Sequence, residues 1–245
     1  ASRMVRSVLY GSEQVRQETQ ATLSKVLARG KYVHEMAVHH VKPGCLHEYQ
    51  EIVGRLYPRM VQDMSPQVKL VGSWTTDIGE LDTAVHIWEY QGYPALTQAY
   101  KELKTDETYG ELQRQLAQLL VKRRSQVMLE FQFWPTHPPV EKGGVYELRS
   151  YTLKPGTLLE WEQNWRVGVE CRRHHEEPMG AWFSQLGVLN QVHHLWQYPD
   201  LQVRKQVRED AWSENGWPET VLNTVPLIQE MSSRIMLPMP FSSLK

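Results

Sequence analysis

The 245-residue chain has 41% hydrophobic and 22% charged residues, an ordinary globular balance sufficient for one large domain or two small ones. A formal net charge of -1 removes any overall attraction to nucleic acid or an anionic membrane, and no apolar run approaches the ~20 residues a bilayer-spanning helix needs, so the chain is not read as an integral membrane protein. Its two cysteines, Cys45 and Cys171, point to a reducing compartment rather than a disulfide framework.

Residues 1–30 carry Arg3, Arg6, Arg16, Lys25 and Arg29 against Glu13 and Glu18, the balance of a segment lying just after an organelle-import leader. The stretch YVHEMAVHHV (32–41) is rich in β-branched and apolar residues and stops at Lys42-Pro43-Gly44, which predicts a strand and a turn. Leu46, Tyr49, Val53, Leu56 and Met60 then follow at steps of 3 and 4, one face of an amphipathic helix. VKLVGSWTT and TAVHIWEY read as two strands of a hairpin joined by DIGELD. After Pro94 the pattern turns helical through Tyr109, Leu112, Leu116 and Leu119, Lys122-Arg123-Arg124 falls on the helix's wet face or its C-terminal end, and QVMLEFQFW closes the unit as a strand.

The same β-α-β-β-α-β order then repeats. VYELRSYTL precedes Lys154-Pro155-Gly156, and Leu158, Trp161, Trp165 and Val169 mark a helical face. MGAWFSQLGVLNQVHHLWQY is the second hairpin, residues 200 to 232 carry helical pattern that Pro226 should break in two, and SRIMLPM ends the unit. Individual phrases recur as well. His86, Trp88 and Tyr90 return as His194, Trp196 and Tyr198, Gly72-Ser-Trp74 as Gly180-Ala-Trp182, and Met128-Leu129 as Met236-Leu237, all 108 residues on; Val41-Lys-Pro-Gly44 returns as Leu153-Lys-Pro-Gly156, 112 on. A fixed offset of this kind is the mark of a tandem duplication. It divides the chain into an N-terminal segment (1–30), a first repeat (31–135), a linker (136–143) and a second repeat with its C-terminal tail (144–245).

Each repeat has the order of a ferredoxin-like unit, with two helices on one face of a four-stranded antiparallel sheet and the other face bare. Two units in one chain can cover each other's bare faces, which predicts an α+β fold: tandem ferredoxin-like repeats in a pseudo-dimeric α+β barrel. Alternate strand residues share a face. With Val85, Ile87, Met36 and Val38 assigned to the helix side, Glu35, His39, His86 and Trp88 from the first repeat, and Glu147, Arg149, Tyr151, His194 and Trp196 from the second, should line the cavity between the sheets. These nine are the candidate ligand-binding residues.

The strings VHHLWQYPDLQVR, YELRSYTLKPGT and TVPLIQEMSSRIMLP, with LVGSWTT, GELDTAVHIWEYQGYPAL and VMLEFQFW in the first repeat, resemble the NipSnap family, most of all its vertebrate type-one and type-two members, over nearly everything from residue 31 to 245. The resemblance independently implies a dimeric α+β barrel in each half. It also implies a mitochondrial protein, mainly of the matrix, displayed on the outer membrane surface of damaged mitochondria, where it binds autophagy receptors and ubiquitin-like autophagy proteins during mitophagy. Matrix enzymes are further expected partners, and no enzymatic activity or obligate cofactor comes with the family. Barrels of this architecture include haem-binding proteins and monooxygenases, so a small-molecule or haem site in the inter-sheet cavity is the competing expectation. A histidine facing an aromatic cavity is what haem ligation requires; the alternative is that His86 and His194 hydrogen-bond Glu35, Glu147 or Tyr151 and seal the interface.

Other chemistry is weakly signalled. Phosphate loops, nucleophile elbows and C-x-x-C pairs do not occur. His34-Glu35 and His39 miss the H-E-x-x-H zinc spacing by one residue and, in a strand, His34 and His39 point to opposite sides, so no metal site is expected. His174-His175-Glu176-Glu177 reads as a solvated loop, and Trp161, Trp165, Trp182, Trp212 and Trp217 as core. Ubiquitin-like autophagy proteins take an aromatic-x-x-aliphatic peptide as an added strand. Of the matches, those beginning at Tyr49, Tyr93, Tyr109, Phe183 and Tyr198 lie in predicted strands and helices or at their ends; Phe241-Ser-Ser-Leu244, after Pro238 and Pro240, is the one expected to be free, making Phe241 and Leu244 the partner-binding candidates.

Overall fold

The first strand, β1 (Val33–Val41), lies at the centre of its own sheet, with β3 (Thr83–Tyr90) on one side and β4 (Leu120–Glu130) on the other; β2 (Val68–Ile78) pairs outside β3. This computed structural model describes residues 32–172 and 179–245. The second repeat copies the arrangement with β5 (Val145–Leu153), β6 (Gly180–Leu186), β7 (Gln191–Tyr198) and β8 (Ile228–Pro238). Two further antiparallel pairings, β2 with β8 and β4 with β6, join the repeats edge to edge and close all eight strands into the expected α+β barrel. Closure removes the four free edges that two separate sheets would expose.

Helix α1 (Leu46–Met64) and the pair α2 (Gly92–Thr105) and α3 (Glu107–Gln118) cover the first sheet. The predicted face of α1 is the one buried, through Tyr49, Ile52, Val53, Leu56, Tyr57, Met60 and Met64. The break between α2 and α3 falls at Asp106, whose carboxylate accepts from the backbone N–H of Thr108 and Tyr109 and so caps α3. The second sheet is covered by α4 (Leu158–Arg172), α5 (Leu201–Ala211), capped by Asp200, and α6 (Trp217–Thr224).

The repeated Gly-x-Trp has a steric cause. Trp74 and Trp182 fold back over the glycine two residues earlier on the same face, and a Cβ at Gly72 or Gly180 would sit inside the indole ring. Both hairpins turn through a glycine and one non-glycine residue of positive φ, the latter being Asp82 (φ 54°) and Asn190 (φ 59°), residue types that tolerate this conformation best after glycine.

Three local expectations change. Lys122, Arg123 and Arg124 lie in β4, opposite His40, His39 and Val38, not on a helix. Helical structure in the second repeat ends with α6 and a 3-10 turn at Val225–Leu227, so residues 228–232 belong to β8. Pro226 ends that helical region, while the break between α5 and α6 lies at residues 212–216, where Gly216 adopts a positive φ of 97°. In both repeats the last strand begins with an exposed polar run, KRRS in β4 and QEMSS in β8, so no apolar alternation marks where it starts.

The C-terminal tail is the fourth correction. Met239 donates its N–H to the Ser73 carbonyl, Ser73 donates to Ser242 Oγ, Lys245 donates to the Val140 carbonyl, and Leu244 bridges Val140 in parallel. Leu244 is fully buried in the central cluster, and Phe241 packs its ring against Tyr57. The tail therefore plugs the barrel and is not a free peptide. The predicted segment 1–30 and the His174–Glu177 cluster lie outside the described residues.

Candidate functional site

Alternate strand residues do separate into the two expected groups, but their layers are exchanged. The space between the sheets is filled by Met36, Val38, Val85 and Ile87 from the first repeat, and by Tyr146, Leu148, Leu195 and Met236 from the second, with Trp74 and Trp182. Among the described residues, strands, Met179, Val140 of the linker and the tail supply this lumen. Most of it is filled by apolar packing, and the polar His193 is satisfied from the strands themselves, where it meets Ser150 and Gln126. An inter-sheet cavity of about 200 Å³ survives at one end, beside Arg124, Gln126, His193 and Arg234. The nine predicted site residues face the helices instead. They form two separate cradles, one per repeat.

In the first cradle, a cavity of about 480 Å³ is bounded by Glu35, His39, Trp88, Tyr57, Tyr100 and Arg123. Glu35 accepts from Tyr90 Oη at 2.9 Å and Tyr100 Oη at 2.7 Å. Burial raises its carboxyl above the usual range, and the two phenol hydrogen bonds only partly oppose that rise. Behind it runs a hydrogen-bonded line: His39 Nδ1 to Tyr49 Oη at 2.8 Å, Tyr49 Oη to His86 Nε2 at 2.6 Å, and His86 Nδ1 to Ser73 Oγ at 2.8 Å. Burial, with help from Arg123 and His40, brings His39 down to about 4, and burial keeps His86 well below the usual histidine value, so both are neutral at pH 7. A neutral imidazole at the cavity wall, linked to a second one through a phenol, can take up and pass a proton.

The second cradle keeps the strand residues and changes what surrounds them. Tyr49 is replaced by Trp161 and Ser73 by Ala181, so neither ring nitrogen of His194 has a hydrogen-bond partner. The imidazole stacks on Trp165 with centroids 4.4 Å apart and an interplanar angle of 19°. Glu147, in the place of Glu35, binds charges rather than phenols: Arg204 Nε and Nη2 at 2.8 Å each, Arg149 Nη1 at 2.9 Å and Ser233 Oγ at 2.6 Å. Burial would raise its carboxyl, but these partners outweigh that and hold it down at about 2. Arg149 Nε also donates to Tyr151 Oη at 2.6 Å, and Arg172 lies 4.1 Å over the Trp196 ring.

The expected partners of the histidines, Glu35, Glu147 and Tyr151, are therefore not the observed ones. Neither His86 nor His194 is free to ligate a haem iron: both nitrogens of His86 are engaged, and His194 is sealed behind Trp161, Trp165 and Trp196. His34 and His39 do lie on opposite faces of β1, His34 beside Trp182 and His39 beside Tyr49. Among the described residues, no cluster of His, Cys, Asp or Glu could hold a metal ion, and no helix is long and apolar enough to cross a membrane. Sequence reasoning missed Tyr49, Tyr100, Arg172, Arg204 and Arg208, which lie on helices and enter the cradles from above. The 108-residue offset that pairs Tyr100 with Arg208 was the available signal. Trp212, expected in the core, is 56% exposed.

The NIPSNAP family model matches residues 34–135 and 146–243. Human NipSnap homolog 2 is 44% identical over 214 residues, covering 87% of this chain and 75% of that protein. The Drosophila melanogaster NipSnap protein is 36% identical over 229 residues, covering 91% and 83%. Among solved structures, a monooxygenase candidate from Fusobacterium nucleatum superposes with a TM-score of 0.66 over 89% of this chain and 99% of its own, at 12% identity, a likeness of fold alone. With both repeats matched, and relatives above 40% identity spanning most of its length, the chain belongs to the NipSnap family.

Proposed function

We propose that this chain is a non-enzymatic mitochondrial adaptor that marks damaged mitochondria for autophagy. In this reading it resides in the matrix, is displayed on the outer membrane surface under stress, and binds autophagy receptors and ubiquitin-like autophagy proteins, with matrix enzymes as further partners. Family membership across both repeats supports it. The geometric observation that carries it is a rim of exposed aliphatic side chains at duplicated positions. Ile78 and Leu81 are 50% and 64% exposed on the first hairpin, and Leu186 and Leu189 are 53% and 55% exposed on the second. Strand directions alternate around the closed ring, so β2 and β6, four places apart, run the same way and bring both tips to one end of the barrel. Exposed aliphatic side chains on both tips at one end of the barrel suit a protein partner.

The test is recovery of the tagged chain from mitochondria before and after depolarisation. Wild type should bring down autophagy receptors after depolarisation, and the folded double variant Leu81→Asp, Leu189→Asp should not. Undiminished capture by the double variant removes the rim's role; no capture by wild type in either state removes the adaptor reading.

A second reading, small-molecule binding, is favoured by the first cradle, whose volume of about 480 Å³ falls within the range of ligand sites and holds an acid of raised pKa beside a neutral imidazole. A metabolite screen by thermal shift on wild type and Glu35→Gln tests it: a compound that stabilises only the wild type supports the site, and no hit on either chain removes it.

A further inference from the structure

The second cradle contains its own cavity, of about 200 Å³, between the sheet and α4, α5 and α6. Trp161, Trp165, Trp196 and Arg172 line it, and each is buried with an N–H that meets no acceptor: Nε1 of the three indoles and Nε of the guanidinium. A buried donor without a partner costs on the order of 1–3 kcal/mol, so four around one cavity require an explanation. Indole and guanidinium groups can donate and cannot accept. Whatever belongs there must accept.

Charge narrows the class. Arg149, Arg172 and Arg208 all line the cavity, while Glu147, the one carboxylate of the cradle among the described residues, is already shared between Arg149 and Arg204. At the corresponding first-repeat positions stand Ala37, Met60 and Tyr100, so the three cations belong to the second repeat alone. Shape narrows it further. Trp161 and Trp165 stack at 5.6 Å and 18°, and Arg172 caps the face of Trp196, so the walls are flat surfaces suited to a flat guest. Trp212 and Val225 are exposed at the lining and offer an entrance. The volume is below that of drug-sized sites and admits a molecule of about one ring.

We propose that the second repeat binds a small planar organic carboxylate, aromatic or conjugated, its ring lying in the cavity against the tryptophan wall and its carboxylate accepting from the indole and guanidinium N–H groups. This is independent of the adaptor reading and of the first cradle.

Calorimetric titration and tryptophan fluorescence of the described chain with benzoate, benzamide and inorganic phosphate test it. Benzoate should bind saturably, with benzamide and phosphate each at least tenfold weaker. Arg172→Gln should abolish benzoate binding, and Arg208→Gln, a partly exposed change on α5 that leaves the core intact, should weaken it tenfold or more. Glu35→Gln in the first cradle should leave it unchanged. The proposal is overturned by no saturable benzoate binding to wild type at millimolar concentration, by benzamide or phosphate binding as tightly, or by benzoate affinity unaltered in Arg208→Gln.

Discussion

Tyr49 Oη lies 2.6 Å from His86 Nε2, and the same hydroxyl reaches His39 Nδ1 at 2.8 Å. One phenol thus partners two buried imidazoles. Tyr49→Phe strands both, and the expected loss is about 2–6 kcal/mol of stability, since each orphaned buried group costs roughly 1–3 kcal/mol. Urea denaturation measures it; a loss below about 1 kcal/mol would mean that the line is not a structural element.

Two of the buried histidines, His39 and His193, set an acid limit on stability. His39 lies at about 4 and His193 at about 3, both lowered first by burial, against an unfolded value of 6.5. A depressed histidine means that the unfolded chain binds more protons, so the stability is fully present above pH 6.5 and is lost as pH falls toward the folded values. By pH 5 each should cost about 2 kcal/mol relative to pH 8. Glu147, at about 2 in the folded state, adds a further loss only below pH 4.5. Raised Glu35 works in the opposite direction, its contribution falling as pH rises above 4.5. Denaturation midpoints across pH 4 to 8 check the profile, and a flat curve above pH 5 would contradict it.

Glu147→Gln removes the carboxylate that Arg149 and Arg204 share in a buried setting. Breaking a buried pair from one side costs about 3–5 kcal/mol because the surviving charges are left uncompensated. A thermal midpoint unchanged from wild type would show that the arginines re-solvate freely.

Gly72→Ala and Gly180→Ala each drive a methyl into the indole two residues on, and overpacking of this kind costs about 1–3 kcal/mol. Gly110→Ala in α3 meets nothing within 4 Å and should instead stabilise by about 0.5–1 kcal/mol. Calorimetry on the three variants decides between steric and purely conformational roles for these glycines.

Leu244→Ala opens a hole in the plug at the barrel end and should cost about 2–4 kcal/mol. Deleting 239–245 would therefore unfold the chain as readily as remove a binding peptide. A truncated chain with wild-type stability by denaturant titration would show that the tail does not plug the barrel.

The repeat offset and the spacing of Leu46, Tyr49, Val53, Leu56 and Met60 carried the fold, because periodicity reports burial directly. What periodicity does not report is which buried face is which. In β3, Val85 and Ile87 are as fully buried in the lumen as His86 and Trp88 are beneath α1, so alternation separates the two groups without naming their layers. The partners that decide the matter, Tyr49 to His86 or Arg204 to Glu147, are distant in sequence and reach the strands from helices. The free tail was misread for a related reason: Leu244 finds its place only once Val140 and the barrel end exist.

Each repeat lends an edge to the other, Trp74 pairing with Pro238 and Leu129 with Phe183. During vectorial synthesis, amino end first, the leading repeat emerges with two raw ladders, one zipped only when β6 appears and the other only when the last strand arrives. Such an intermediate is sticky and slow to resolve, because ring closure joins segments separated by most of the polypeptide. Holdase chaperones should therefore find their longest-lived client in any version truncated before residue 228.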